Sequence, residues 1–235
     1  MAAARAPGLG LLAGILALGQ AQPAQAQLSG SVAVASDVRL RGFSLTERRP
    51  AITLSAAYDD RSGLYAGGSV IVHDPEAASA RLLGHTEYLG YAVRADNGLS
   101  WDVGVANIDV TLYRDRKYPL QYSQIYVGVA RDSLSARLSL SPDFPRKGMS
   151  SAYLDLNGVV RPAEDWRVAG HVGVMRRLGG VSADGRRQRY DLRLAVTRSF
   201  DNLELQAALT GLVKRPEPRA SRTRSGVQVG ASYFF

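Results

Sequence analysis

The 235-residue chain contains no cysteine, which removes any disulfide framework and any thiolate metal site. Histidine is scarce as well. His73, His85 and His171 lie too far apart in sequence to form a spaced metal-ligand motif, so neither a metal nor a cofactor is expected. No phosphate-cradling Gly-rich loop, nucleophile elbow or zinc-protease helix signature occurs, and no residue is nominated as catalytic. Beyond residue 26 no apolar run approaches the ~20 residues that a membrane-spanning helix needs. If this chain crosses a membrane, it must cross as a closed β-barrel.

The N-terminus has Arg5 in a short basic start, a nearly continuous apolar run over 9–18, and Ala24-Gln25-Ala26 as a small-residue cleavage site. Ten apolar residues are too few to anchor the chain as a helix. The expectation is a signal peptide over 1–26, cleaved before Gln27, and one domain over 27–235.

From residue 29 onward, strand-like runs alternate with turn signals. Twelve are expected, at about 29–41, 50–59, 64–73, 82–94, 99–112, 122–132, 133–140, 150–160, 166–177, 188–199, 203–213 and 223–235. Alternate connections are tight and rich in Gly, Asn and Asp: Asp60-Arg61-Ser62-Gly63, Ala95-Asp96-Asn97-Gly98, Asp132-Ser133, 161–165 and 200–202. The other connections, 42–49, 74–81, 113–121, 141–149, 178–187 and 214–222, are longer and polar. Long-short alternation with an even strand count is the rhythm of an up-and-down barrel, with short periplasmic turns and longer outer loops. The fifth run changes parity midway, from Trp101, Val103 and Val105 to Ile108, Val110 and Leu112, which predicts a bulge or a kink.

The pleat assigns faces. Leu134, Ala136, Leu138 and Leu140 oppose Ser135, Arg137 and Ser139; Tyr190, Leu192, Leu194 and Val196 oppose Asp191, Arg193 and Thr197; Leu203, Leu205 and Leu209 oppose Glu204, Gln206 and Thr210. The last run places Val227, Val229, Ala231, Tyr233 and Phe235 on one face. A soluble sandwich alternates too, so aromatic placement is the discriminator. Tyr58, Tyr65, Trp101, Trp166, Phe200, Tyr233 and Phe235 fall near the proposed periplasmic ends. Phe43, Tyr113, Tyr118, Tyr122, Tyr153 and Tyr190 fall near the outer ends. Two such bands match the two interfaces of a membrane. The fold class is therefore all-β: a transmembrane up-and-down antiparallel β-barrel of about 12 strands. Tyr233 and the terminal Phe235 are expected to serve as the signal read by the barrel-assembly machinery.

The segment Ser31-Val-Ala-Val-Ala-Ser36-Asp37-Val-Arg39-Leu-Arg41-Gly42-Phe43-Ser44-Leu-Thr46, followed by Pro50-Ala51, resembles the TorF-like porin family. Members typically open with a strand of the type Ser-Asp-Tyr-x-Phe-Arg-Gly-x-Ser and continue through a Pro-Ala pair into a hairpin such as 58–65. The similarity covers residues 29–72 and, more loosely, the last strand. Val38 and Leu40 stand where the family usually has aromatics, while the Arg41-Gly42-x-Ser44 core is present. The resemblance implies an outer-membrane barrel and supplies no substrate.

In the first run Asp37, Arg39 and Arg41 share one face and Val32, Val34, Val38 and Leu40 the other. An arginine at the lipid midplane costs about 2–4 kcal/mol, so the charged face is expected to line the lumen, with Gly42 leading into the first outer loop. Those charges either brace the barrel by pairing with others or contact a solute directly. His85 and Glu87 share a face and are expected to form a lumen pair, as are His171 and Arg167.

The net charge of +8 becomes +7 when Arg5 leaves with the signal peptide. The whole of that excess falls in the six long connections, which carry fourteen basic residues against seven acidic ones. An outer basic rim is expected from Arg48, Arg49, Arg114, Arg116, Lys117, Arg186, Arg187, Lys214, Arg215, Arg219 and Arg222. No nucleic-acid motif accompanies it, so no nucleic-acid partner is expected. Lipopolysaccharide phosphates and anionic solutes are the plausible partners, beside outer-membrane lipid, and a solvated rim that binds nothing is the alternative. The function expected is a passive, non-enzymatic porin for small, anionic solutes. Its narrow lumen would be lined by Asp37, Arg39, Arg41, Arg137, Asp155, Arg167, Asp191, Arg193 and Glu204. A structural or adhesion barrel with a plugged lumen is the main alternative. An outer-membrane lipid hydrolase is another, and it needs an outward Ser-His pair.

Overall fold

The computed structural model of the chain describes residues 27–73, 80–111, 120–145, 147–180, 187–213 and 225–235. The described residues form β1 (Gln27–Ala35), β2 (Arg39–Leu40), β3 (Phe43–Ser44), β4 (Ala51–Asp59), β5 (Leu64–His73), β6 (Arg81–Arg94) and β7 (Ser100–Val110). They continue as β8 (Leu120–Arg131), β9 (Leu134–Ser141), β10 (Ser151–Ala163), β11 (Trp166–Arg177), β12 (Gln188–Phe200), β13 (Leu203–Val213) and β14 (Gly226–Phe234). Twelve of these close into one antiparallel barrel, while β2 and β3 pair with each other as a separate ribbon. The expected strand number and topology are therefore what the chain adopts.

Closure is made by β1 against β14, in the register Ser31↔Phe234 to Ala35↔Gly230. Below it, Gly30 and Phe235 exchange two backbone hydrogen bonds of 3.0 Å. The Phe235 ring covers Gly30, where a Cβ would collide with the ring. The terminal aromatic thus seals the seam with both its backbone and its side chain.

The barrel is inside-out relative to a water-soluble protein. Among the described residues, thirty-six large apolar side chains are exposed, against twenty-one buried hydrophobic residues, of which eight are alanine. Leu134, Leu138 and Leu140, Leu192 and Leu194, Leu205 and Leu209, and Val227 and Val229 all point out, as their alternation requires. Exposure on this scale is stable only in lipid. No helix among the described residues is long and apolar enough to cross a membrane; the strands do so.

One end of the barrel carries the tight turns and the C-terminal seam; this is the turn end, and the opposite one the loop end. At the turn end Asp132 (φ 52°) and Asp201 (φ 51°) adopt the positive φ that two-residue hairpin loops demand. An outward aromatic girdle of Tyr58, Tyr91, Trp101, Trp166, Phe200, Tyr233 and Phe235 surrounds this end. The second girdle is not built as expected. Tyr122 and Tyr153 are buried inside, and Tyr190 alone of the six proposed residues points out among the described residues. Tyr113 and Tyr118 lie outside the described residues. Tyr65, expected in the first girdle, also turns inward to bond Asp102.

Two further expectations are corrected. The first strand does not run to residue 41: β1 ends at Ala35, and 36–50 folds into the barrel. Val38 and Leu40 are accordingly buried inside, not exposed to lipid. The parity change in β7 is not a bulge, because its register with β6 and β8 is unbroken. Ile108 and Val110 point inward in step with the rest of the strand, onto an apolar cluster with Val38, Leu40, Leu45, Ile71, Leu83, Tyr122 and Phe144. The hydrophobic signal changes sides because the barrel interior has something to pack against there. A register irregularity does occur one strand away, at the junction of Ile71 and Val72 with β6, where Leu83 is the extra residue.

Candidate functional site

The β2–β3 hairpin sets the geometry of the interior. Its two-residue turn is Arg41-Gly42, with φ of 47° and 77°, the double positive φ of a type I′ turn. Gly42 reaches the far wall, where a Cβ would lie 2.9 Å from Asp191 Cβ and 2.7 Å from the Leu212 side chain. At this position glycine is required both by φ and by space.

Asp37 holds the base of the hairpin. Its carboxylate accepts from Arg39 Nε at 2.6 Å, from Thr46 Oγ1 at 3.0 Å, from the Arg48 amide at 3.3 Å and from the Ser44 hydroxyl. Val38 N donates to Thr46 Oγ1 at 3.1 Å. Gln228 Nε2 donates to the Asp37 carbonyl at 2.7 Å, tying the hairpin to β14. A carboxylate 2 % exposed is tolerated because four donors converge on it.

Arg41 crosses the lumen towards β8 and β10. Its Cζ lies 4.3 Å from the Phe144 ring centroid, 4.2 Å from that of Tyr153 and 5.4 Å from that of Tyr122. Nη2 donates to Gln124 Oε1 at 2.6 Å. The guanidinium is thus held by π-faces and a neutral amide.

Deeper in the barrel the side chains form separate networks. Asp102 accepts from Arg137 Nη2 and Tyr65 OH, each at 2.9 Å, and Tyr65 OH meets Tyr126 OH at 2.9 Å. His171 sits between two carboxylates, with Nε2 3.0 Å from Asp191 Oδ1 and Nδ1 3.2 Å from Asp155 Oδ1. Tyr153 OH donates to Asp191 Oδ2 at 3.2 Å, and Asn157 Nδ2 to Asp155 Oδ1 at 2.6 Å. Arg167 Nη2 pairs with Glu204 Oε2 at 2.8 Å. Arg193 donates to Gln206 Oε1, whose own Nε2 donates to Thr197 Oγ1 at 3.1 Å. Inward glycines make room for these rings: Gly90 under Tyr65, Gly104 under Tyr126 and Gly173 under Tyr153.

All nine expected lumen charges therefore face the interior, although Asp37, Arg39 and Arg41 do so from the infolded hairpin and not from the wall. Arg137, Asp155, Arg167, Asp191, Arg193 and Glu204 project from the wall strands. The His171–Arg167 pairing does not form, since each has found carboxylates of its own. His85 and Glu87, 3.7 Å apart, lie on the outer face and not in the lumen. Asp102, Tyr65, Tyr126, Gln124 and Phe144 were not expected at the site. The parity of Asp102 between outward Trp101 and Val103 was a readable signal for it. Phe144 has none, because it sits in an irregular loop.

Of the basic rim, Arg48, Arg49 and Arg187 are exposed at the loop end, and Arg48 Nη2 donates to the Ser225 carbonyl at 3.2 Å. Arg114, Arg116, Lys117, Arg186, Lys214, Arg215, Arg219 and Arg222 lie outside the described residues. Among the described residues no cluster of three or more His, Cys, Asp or Glu could hold a metal ion.

The arrangement resembles solved outer-membrane barrels. The NanC porin shares 10 % identity over 88 % of this chain and 99 % of its own, with a TM-score of 0.57. The KdgM porin shares 12 % over 87 % and 98 %, with a TM-score of 0.52, and has also been solved in complex with disordered oligogalacturonate. An outer membrane channel from Pseudomonas putida F1 shares 12 % over 91 % and 96 %, with a TM-score of 0.50. At such identities the likeness is one of fold, and the fold is that of an outer-membrane β-barrel. No curated protein matches the chain. Over residues 20–213 it matches the model of the family described as bacterial protein of unknown function (Gcw_chp), and it belongs to that family.

Proposed function

We propose that the protein is a porin of the outer membrane, passing small anionic solutes through a lumen narrowed by the 36–50 hairpin. One observation carries this reading. The wall carboxylates Asp102, Asp155, Asp191 and Glu204 are each engaged by an arginine or by His171. Arg41 and Arg193, in contrast, meet only amide oxygens and rings, with no carboxylate partner among the described residues. Fixed cations whose charge is not cancelled locally attract anions into a narrow passage. The likeness to KdgM, solved with a carboxylate-bearing oligosaccharide, points the same way. In this reading residues 1–26 are removed on export, the C-terminal strand engages the barrel-assembly machinery, and the basic loops face lipopolysaccharide phosphates and incoming solutes.

A barrel with a closed lumen is the second reading, and the apolar cluster under the hairpin favours it. Lipid hydrolysis has no such support. Ser123 and His85 both face outward but stand two strands apart, about 10 Å at ~4.8 Å per strand, too far for a nucleophile and its base.

Efflux from proteoliposomes separates the two supported readings. Glucuronate is expected to escape faster than glucose, and glucose faster than glucosamine. A neutral or cationic solute escaping faster than glucuronate contradicts anion selection, and no efflux of any solute supports the closed barrel.

A further inference from the structure

The outer wall is not uniformly greasy. Counted from the turn end, the outward positions of β5 and β13 stay apolar or small up to the loop end, Leu64 to Val72 and Leu203 to Val213, and those of β11 do so from Trp166 to Val174, one position short of Arg176. Strands β6 and β7 follow suit without a break only as far as Val93, Tyr91 and Leu89 on one and Trp101, Val103 and Val105 on the other, and a further exposed apolar side chain, Leu82, stands at the loop-end tip of β6 beside Val72. Above these, two rows of polar side chains cross three adjacent strands, Glu87↔Asn107↔Ser123 and His85↔Asp109↔Gln121. Two hydrogen bonds link β7 and β8 laterally, and one close pair runs along β6. Ser123 Oγ donates to Asn107 Oδ1 at 3.2 Å, Gln121 Nε2 donates to Asp109 Oδ2 at 3.2 Å, and His85 Nε2 is 3.7 Å from Glu87 Oε1.

Directly behind these rows the interior is apolar, with Leu83, Ile108, Val110 and Tyr122 buried against the hairpin. This part of the wall is therefore inverted: polar outside and apolar inside, as in a sheet that faces water. Neither a bulge nor a slip causes it in β7 and β8, whose register is continuous. Two outward positions span four residues, which at ~3.4 Å per residue and ~40° tilt is a vertical drop of about 10 Å in the apolar belt.

We infer that the loop-end half of β6–β8 stands outside the hydrocarbon, against the polar headgroups and water of a leaflet that dips by about 10 Å on this side of the barrel. Headgroups fit the surface better than a second copy of the chain. The patch carries Glu87 and Asp109 against one imidazole, so an identical patch on a partner would bring carboxylates towards carboxylates.

The absence of cysteine from the chain makes the test clean. Single variants N107C, S123C and Q121C, and the comparison variants L194C and L209C, are labelled with an environment-sensitive fluorophore. Each labelled protein is then reconstituted in phosphatidylcholine vesicles at several lipid-to-protein ratios. Labels at 107, 121 and 123 are expected to be quenched by aqueous iodide, and several-fold less than those at 194 and 209 by lipids brominated in mid-chain. Equal chain-bromine quenching at all five sites overturns the inference. So does protection of 107 and 123 from both quenchers that fades on dilution with lipid, because a second copy would then be the cover. Heat-modifiable migration confirms that each variant is folded, and two rows of sites guard against the loss of one.

Discussion

Replacing Arg41 with alanine should unseat the hairpin while leaving the barrel wall intact. The side chain lies over two rings at 4.2–4.3 Å and donates a 2.6 Å hydrogen bond to Gln124. Each desolvated cation–π contact contributes about 1–2 kcal/mol and the charged hydrogen bond about 1.5–3. These contributions overlap, and Arg41 Nη1 is buried with no hydrogen-bond partner, which offsets part of the gain. A net loss of about 3 kcal/mol is a reasonable central figure, enough to shift a seated-to-unseated ratio about 100-fold. The wall should not follow, since β1 closes on β14 through pairings that do not involve Arg41. The assay is single-channel recording in planar bilayers, with heat-modifiable migration as the control for folding. The variant is expected to show larger or more frequent conductance steps than the parent, together with weaker anion preference, because a lumen cation has also gone. A folded variant whose conductance and open probability match the parent's would refute the claim that Arg41 seats the hairpin.

Asp37→Ala removes the acceptor shared by Arg39, Thr46 and the Arg48 amide. Breaking one side of a buried pair costs about 3–5 kcal/mol, so protease cleavage within 36–50 is expected in the folded barrel, and Asp37→Asn should restore part of the protection. Phe235→Ser keeps the two backbone bonds to Gly30 but removes the ring that covers it; less heat-modifiable, membrane-inserted protein is expected at unchanged synthesis and export. Neutralising Arg186, Arg187, Arg219 and Arg222 should weaken anion preference at low salt and leave it unchanged near 1 M, where the Debye length is about 3 Å. An equal effect at every salt concentration would place those charges inside the passage instead of at its mouth.

The wall was legible from the sequence because each strand carries its own two-residue period and each hairpin its own turn chemistry. β9, β12, β13 and β14 have the faces that their alternation gives them, and Asp132 and Asp201 have the backbone conformation their turns require. The hairpin was not legible, because the alternation of 31–41 is interrupted only by Ser36 on its apolar face, and local periodicity cannot tell a strand that continues from one that leaves the sheet. The Arg41-Gly42 pair between alternating residues was a hairpin-turn signal that the alternation masked. The parity change at Val105 to Ile108 is the same event recorded in the wall. Where Val38, Leu40 and Leu45 of the hairpin fill the interior, inward positions of the wall become greasy and outward ones can turn polar. A rule that polar residues face the lumen sends His85 and Glu87 inward; on an inverted stretch of wall they face out.

The central claim is a passage that prefers anions because Arg41 and Arg193 carry charge that no carboxylate cancels. The zero-current potential of single channels under a KCl gradient, at low total salt, tests it most directly. Its sign is expected to show chloride as the more permeant ion in the parent, with the potential moving towards zero in Arg193→Gln. A potential of potassium-selective sign in the parent, or one that Arg193→Gln leaves unchanged, would contradict the account.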